Sequence, residues 1–179
     1  LTLDGVTVTG NTGAEGAGVR VNGGDLVVRN SVISNNTSTT NGGGLHFTNA
    51  FLAIVEDSTI EGNTAANAGG GVFIGAGVAS VAFDRCLIQG NSAFQTGGVR
   101  AIAGQNGITD SIISGNDATA AGGAGGYSQT ADSLVVINTT FAGNGAEQRA
   151  QGQEVGPADI LPRLAVDGQC HGVIAVGVR

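Results

Sequence analysis

The sequence predicts an all-β chain folded as a right-handed parallel β-helix, with three strands per coil and about six coils. Three observations carry this: a repeat of 25 to 28 residues, apolar residues at fixed places in each copy, and a composition poor in helix formers. Among 179 residues there are 33 Gly, 2 Pro, no Met and no Trp, and all seven basic residues are Arg. Gly is costly inside helices, while the abundant Val, Ile and Thr suit strands. The recurrent Val and Ile positions also supply apolar surface that a disordered Gly-rich chain lacks.

The repeat is read from six aligned copies: Val6–Asn11, Ser31–Asn36, Ser58–Asn63, Cys86–Asn91, Ser111–Asn116 and Thr139–Asn144. Their closing asparagines are 25, 27, 28, 25 and 28 residues apart. That spacing fits one coil of a three-strand β-helix better than a propeller blade of roughly 40 residues.

Within each copy the residue three before the Asn is apolar: Val8, Ile33, Ile60, Ile88, Ile113 and Phe141. Five residues earlier stand Leu3, Val28, Val55, Phe83, Ile108 and Val136. Alternation of these residues with Thr, Ser, Gln or Glu gives each strand one buried and one wet face. A third strand is expected eight or nine residues after the Asn, introduced by Gly, at Val19–Val21, Leu45–Phe47, Val72–Ile74 and Val99–Ala101.

Asn11, Asn36, Asn63, Asn91, Asn116 and Asn144 are expected to form a structural ladder. Asn tolerates left-handed backbone angles at a tight corner, and its amide can bond the amide of the next coil at a spacing of about 4.8 Å. Glycine before the Asn would ease the turn.

The coils are assigned to residues 1–144, and residues 145–179 to a C-terminal cap or last partial coil. Both prolines fall in this tail, in Pro157-Ala158-Asp159-Ile160-Leu161-Pro162, and 172–178 reads as one more apolar strand. At the other end, Leu1–Asp4 reads as a strand already under way, as in an excerpt of a longer protein, a processed chain, or one stacked on another element.

A formal charge of −7 with no Lys leaves no basic stripe to neutralise phosphates, which argues against nucleic-acid binding. No apolar run approaches the ~20 residues of a membrane span, and any export signal would lie upstream of Leu1 or have been removed. Cys86 and Cys170 could form one bridge, but Cys86 lies in a strand pattern facing the core, so buried free thiols are the favoured reading.

The Ile-x-x-Asn or Phe-x-x-Asn element followed by Gly-Gly-x-apolar resembles the repeats of polymorphic outer-membrane proteins and of autotransporter-passenger-type bacterial β-helix proteins. The resemblance covers about residues 1–144, although Asn144 is not followed by a clear Gly-Gly pair. It implies an exported, elongated protein at the bacterial cell surface or outside the cell, acting as a stalk or adhesin. Partners would be a glycan or a host or cell-surface protein, with end-to-end self-association as a further option.

The β-helix also hosts polysaccharide lyases and hydrolases, so fold alone does not decide activity. The best carboxylate cluster is Glu56, Asp57, Asp84 and Asp110 around Arg85, with Asp4 and Arg29 in the same outward rows, and Glu56, Asp84, Asp110 and Arg85 are its candidate catalytic residues. Two carboxyl groups about 5 Å apart could serve a retaining glycosidase, and several oxygens beside an Arg could hold Ca2+ for a lyase. The competing reading is a charge-compensated surface ladder running Asp57 to Arg85 to Asp110. The polygalacturonase set of paired Asp, Gly-His-Gly and Arg-x-Lys is missing, so no catalytic residue is assigned.

A second candidate is the outward row of the third strand, Arg20, His46, Phe73 and Arg100, expected to be an exposed stripe able to stack on and bond a glycan or protein. His46 has no nucleophile or acid identifiable beside it to make it a general base. Cys170-His171 does not suggest zinc, because a structural site wants about four ligands and the chain has two Cys and two His. Three functions remain open: a structural or adhesive segment, a polysaccharide enzyme, and a self-assembling fibre module.

Overall fold

A computed structural model describes residues 1–130, 133–146 and the backbone of 174–176. The described residues form a parallel β-helix with three strands per coil, in which six Asn-anchored corners bound five complete turns. Every pairing between coils is parallel, and each strand lies beside the strand one repeat away in sequence. Parallel strands need long returns, and here the rest of the coil is the return.

The second sheet consists of the Asn-anchored strands, from Thr7–Thr9 to Thr140–Ala142. Its register places Val8, Ile33, Ile60, Ile88, Ile113 and Phe141 in one stack, as the repeat predicts. All but Val8 are at most 2% exposed. Leu3, Val28, Val55, Phe83, Ile108 and Val136 form the second predicted stack, in the first sheet.

The third predicted strand pairs as expected, but it does not make a separate side of the coil. Val19–Arg29 and Leu45–Glu56 each run unbroken from that strand into the first strand of the next coil, so both belong to one ten-stranded sheet. The third side is instead a row of two-residue strands directly after each Asn: Thr12–Gly13, Thr37–Ser38, Thr64–Ala65, Ser92–Ala93, Asp117–Ala118 and Gly145–Ala146. Their inward residues are small, which lets the chain close tightly and leaves no large apolar residue to mark the strand.

Tyr127 adds a fifth member to the Val19, Leu45, Val72 and Val99 stack. It is fully buried, and burial pushes its phenol well above the usual range. The coil pattern runs slightly past residue 144, since Gly145–Ala146 pairs with Asp117–Ala118. Ile174–Val176, inside the predicted apolar strand, pairs antiparallel with Leu134–Val136. Pro157 to Pro162, Cys170 and His171 lie outside the described residues.

Candidate functional site

The asparagine row is buried rather than presented to a ligand. Asn36, Asn63, Asn91 and Asn116 have no exposed surface. Asn91 shows the pattern: its Oδ1 accepts from the backbone N–H of Asn63 at 2.9 Å and from Asn63 Nδ2 at 3.0 Å. Its Nδ2 donates to the Ile60 carbonyl at 2.9 Å and to Asn116 Oδ1 at 2.9 Å. Amide-to-amide bonds of 2.9–3.0 Å continue from Asn11 to Asn144. Each central amide therefore has its donors and acceptor engaged within the coil stack.

One part of the expectation is corrected. The left-handed angle belongs to the residue before each ladder Asn, at Gly10, Asn35, Gly62, Gly90, Gly115 and Gly143. This leaves the Asn itself free to turn its side chain inward.

A second ladder, not predicted from the sequence, starts five of the six aligned copies, from Ser31 to Thr139. The Ser31, Ser58, Ser111 and Thr139 hydroxyls each donate to the carbonyl two residues back, at 2.6, 2.7, 2.7 and 2.9 Å. Ser31, Ser58 and Ser111 accept the backbone N–H of the coil before at 3.0–3.1 Å. Cys86 occupies the same register and donates its thiol to the Asp84 and Val55 carbonyls. Burial pushes that thiol up to about 11. The recurring Ser, Cys or Thr at the head of every copy but the first was the available signal.

The charged cluster lies on the outward face beside the corner joining the first and second sheets. Asp4, Arg29, Glu56 and Asp84 are in register on adjacent strands. Asn30, Asp57, Arg85, Asp110 and Asn138 follow at the corner, all with φ of 47–50°. Arg85 grips Asp57 with two bonds of 2.6 and 2.8 Å and also bonds Asp84. Arg29 pairs with Glu56 at 3.4 Å. Asp110 is held by Asn138 Nδ2, not by Arg85, so the expected Asp57–Arg85–Asp110 ladder is replaced by an Asp57–Arg85–Asp84 triad.

The hydrogen bonds from Arg85 hold the Asp57 carboxyl below its ordinary range. Arg85 is held still more firmly in its charged form. Among the described residues no three His, Cys, Asp or Glu side chains converge to hold a metal ion.

Arg20, His46, Phe73 and Arg100 do fall in one row, but the row is not the exposed stripe expected. His46 is only 2% exposed. The left-handed turns at Gly16 and Gly42 close over it so tightly that a Cβ on either would come 2.8 Å from the His46 Cβ. Phe73 is half-buried and meets the imidazole edge-on at 5.0 Å. His46 Nδ1 is buried without a hydrogen-bond partner, and burial pulls the imidazole below its ordinary range. Arg20 pairs with Glu15 at 2.8 Å, and half-buried Arg100 donates to Ser128 Oγ at 2.6 Å. Exposed aromatic surface is found instead at Phe51 and Phe94.

Fold and ladders together define the chain as a parallel β-solenoid repeat protein. Compared with protein-family models, curated proteins and solved structures, it matches none.

Proposed function

We propose that this chain is a rigid, non-catalytic segment of an exported bacterial β-solenoid protein of the polymorphic outer-membrane or autotransporter-passenger type, acting as spacer and adhesive surface. The observation that supports this best is the continuous buried amide ladder. The residue most regularly repeated in the sequence has its hydrogen-bonding capacity engaged in stacking coils, which favours a stiff elongated body. The charged cluster adds support, because its carboxylates at Asp57, Asp84 and Glu56 are paired with Arg85 and Arg29. No helix among the described residues is long and apolar enough to cross a membrane.

The test sets binding against turnover. The purified chain is applied to immobilised cell-surface glycans and proteins, and incubated with acidic and neutral polysaccharides. Saturable binding without turnover is expected. Turnover abolished by Asp84→Asn would replace this reading with a polysaccharide lyase or hydrolase. Fibres growing with concentration in light scattering, with no binding to either surface, would replace it with an assembly module.

A further inference from the structure

The last coil of the stack is better covered than the first. In the first coil the inward residues Leu3, Val8 and Val19 are only partly buried, and Asn11 is exposed. Their counterparts in the last coil, Val136, Phe141 and Tyr127, are at most 2% exposed, although no further coil of described residues lies on them. What does lie against that coil is the strand Ile174–Val176, paired with Leu134–Val136 on the edge where a next coil would add. It runs antiparallel, the one such pairing among the described residues. A strand running backwards cannot begin another parallel coil, so it ends the stack at that edge.

The same edge suits the first coil of another copy of this chain. By the register of the columns, Leu3 corresponds to Val136, Val8 to Phe141 and Asn11 to Asn144. The asparagine ladder also has a direction. From Asn11 to Asn116, each Asn gives its backbone N–H and an Nδ2 hydrogen to the Oδ1 of the next coil. Asn144 spends one amide hydrogen on the Ile113 carbonyl at 2.8 Å. Its backbone N–H and its other amide hydrogen meet no acceptor among the described residues, and Asn11 Oδ1 meets no donor among them. Donor end and acceptor end therefore match head to tail, at a strand spacing of about 4.8 Å, whereas two like ends do not match.

We propose that Ile174–Val176 guards this edge against a second copy of the chain, whose first coil would otherwise stack on the last coil head to tail. The guarded segment Leu134–Val136 overlaps Val135–Ile137, on which the Thr2–Asp4 strand of the second copy would lie. By taking up the N–H and C=O groups of that edge, the short strand denies the incoming strand its partners. The inference goes beyond the spacer reading and does not depend on it, because a guarded solenoid stays monomeric whatever its outer faces bind.

Adjacent residues of an antiparallel strand turn their N–H groups alternately toward and away from the partner, so Ile174→Pro with Ala175→Pro removes whichever donor is in use. At the receiving end, Val27 N–H donates to the Leu1 carbonyl and Gly5 N–H to the Arg29 carbonyl, which turns the Thr2 N–H to the open edge. Thr2→Pro thus blocks the incoming strand and removes no bond within its own coils. Sedimentation velocity and light scattering follow the whole chain across a wide concentration range. The parent is expected to stay monomeric, the proline pair to at least double its weight-average mass reversibly on concentration, and Thr2→Pro added to the pair to restore the monomer. Association by the parent, a proline pair that stays monomeric, or association that survives Thr2→Pro overturns the guard. Native-state hydrogen exchange tests it without a variant: slow exchange of at least one amide in Ile174–Val176 of the parent is expected, and fast exchange of all three overturns it. Loss of protection at Ile60 and Ile88 in the proline pair would make the strand a support of the whole fold, and overturns a role confined to the edge. Binding to glycans and proteins is measured separately, so failure of the guard leaves the adhesive reading in place, and absence of binding leaves the guard.

Discussion

Asn91 sits between two coils as acceptor for one and donor to the other, so its removal orphans groups on both sides. Asn91→Ala leaves the Asn63 N–H and amide, the Ile60 carbonyl and the Asn116 oxygen short of a partner. A loss of about 2–5 kcal/mol is expected, from unsatisfied buried groups at 1–3 kcal/mol each, partly relieved by relaxation. Asn11→Ala, on the exposed first coil, should cost much less. Urea unfolding of the two variants checks this, and equal midpoints would contradict the ladder's role. Cys86 is a milder case. Cys86→Ser keeps a donor for the Val55 and Asp84 carbonyls and should leave stability within about 1 kcal/mol, whereas Cys86→Ala, losing that donor, should cost about 1–3 kcal/mol by thermal melts.

His46 gives a pH prediction at the same scale. Its folded pKa lies below the unfolded value of about 6.5, because burial disfavours the imidazolium; Glu15 opposes this and Arg20 adds to it. A depressed folded pKa means that the unfolded state binds the proton more readily. The contribution of neutral His46 is therefore fully present above pH ~6.5 and is lost as pH falls toward and through the folded pKa. Denaturant midpoints of the parent chain should drop between pH 7.5 and 5, and His46→Gln should flatten that drop. An identical slope in the variant would assign the acid sensitivity to other groups.

Among the strands, the two long apolar stacks were legible because Ile33, Ile60 and Ile88 recur at a fixed offset from an Asn, and a period-2 face needs no more than that. The two-residue strands were not, because Ser38, Ala65 and Ala93 present small inward side chains without contrast to their neighbours. The burial of His46 was also beyond the strand pattern, which places it outward. Its cover comes from the turns at Gly16 and Gly42, and alternation along one strand does not report what a neighbouring turn lays over it. Those tight turns supply a prediction of their own. At Gly70 a Cβ would meet the Ser92 and Gly97 carbonyl oxygens at 2.3 and 2.5 Å, both of them backbone. Gly70→Ala must push two coils apart and should cost 3 kcal/mol or more, beyond ordinary overpacking. Gly23→Ala, where nothing lies within 4 Å, controls for the chemistry and pays only for its left-handed angle. Thermal melts of the pair should differ widely.

Among the described residues, each coil touches only its neighbours, so stability is close to a sum of coil and interface terms. The interfaces are unequal. Between Asn36 and Asn116 every junction carries a fully buried amide, a continuous aliphatic stack and paired strands on three sides. At the Asn11 coil the ladder amide is exposed and Val8 is only partly covered, so its bonds compete with water. Local opening should accordingly become easier from the middle of the stack outward. Native-state hydrogen exchange would resolve it, with the amides of Ile60, Asn63, Ile88 and Asn91 slowest and those of Val8 and Asn11 exchanging many times faster. Asn91→Ala should then split the protection, loosening the Asn63 and Asn91 coils while sparing residues two coils away. A uniform rise in exchange along the chain would mean that the solenoid opens as one cooperative unit, and that its ladders couple coils over longer distances than nearest-neighbour stacking allows.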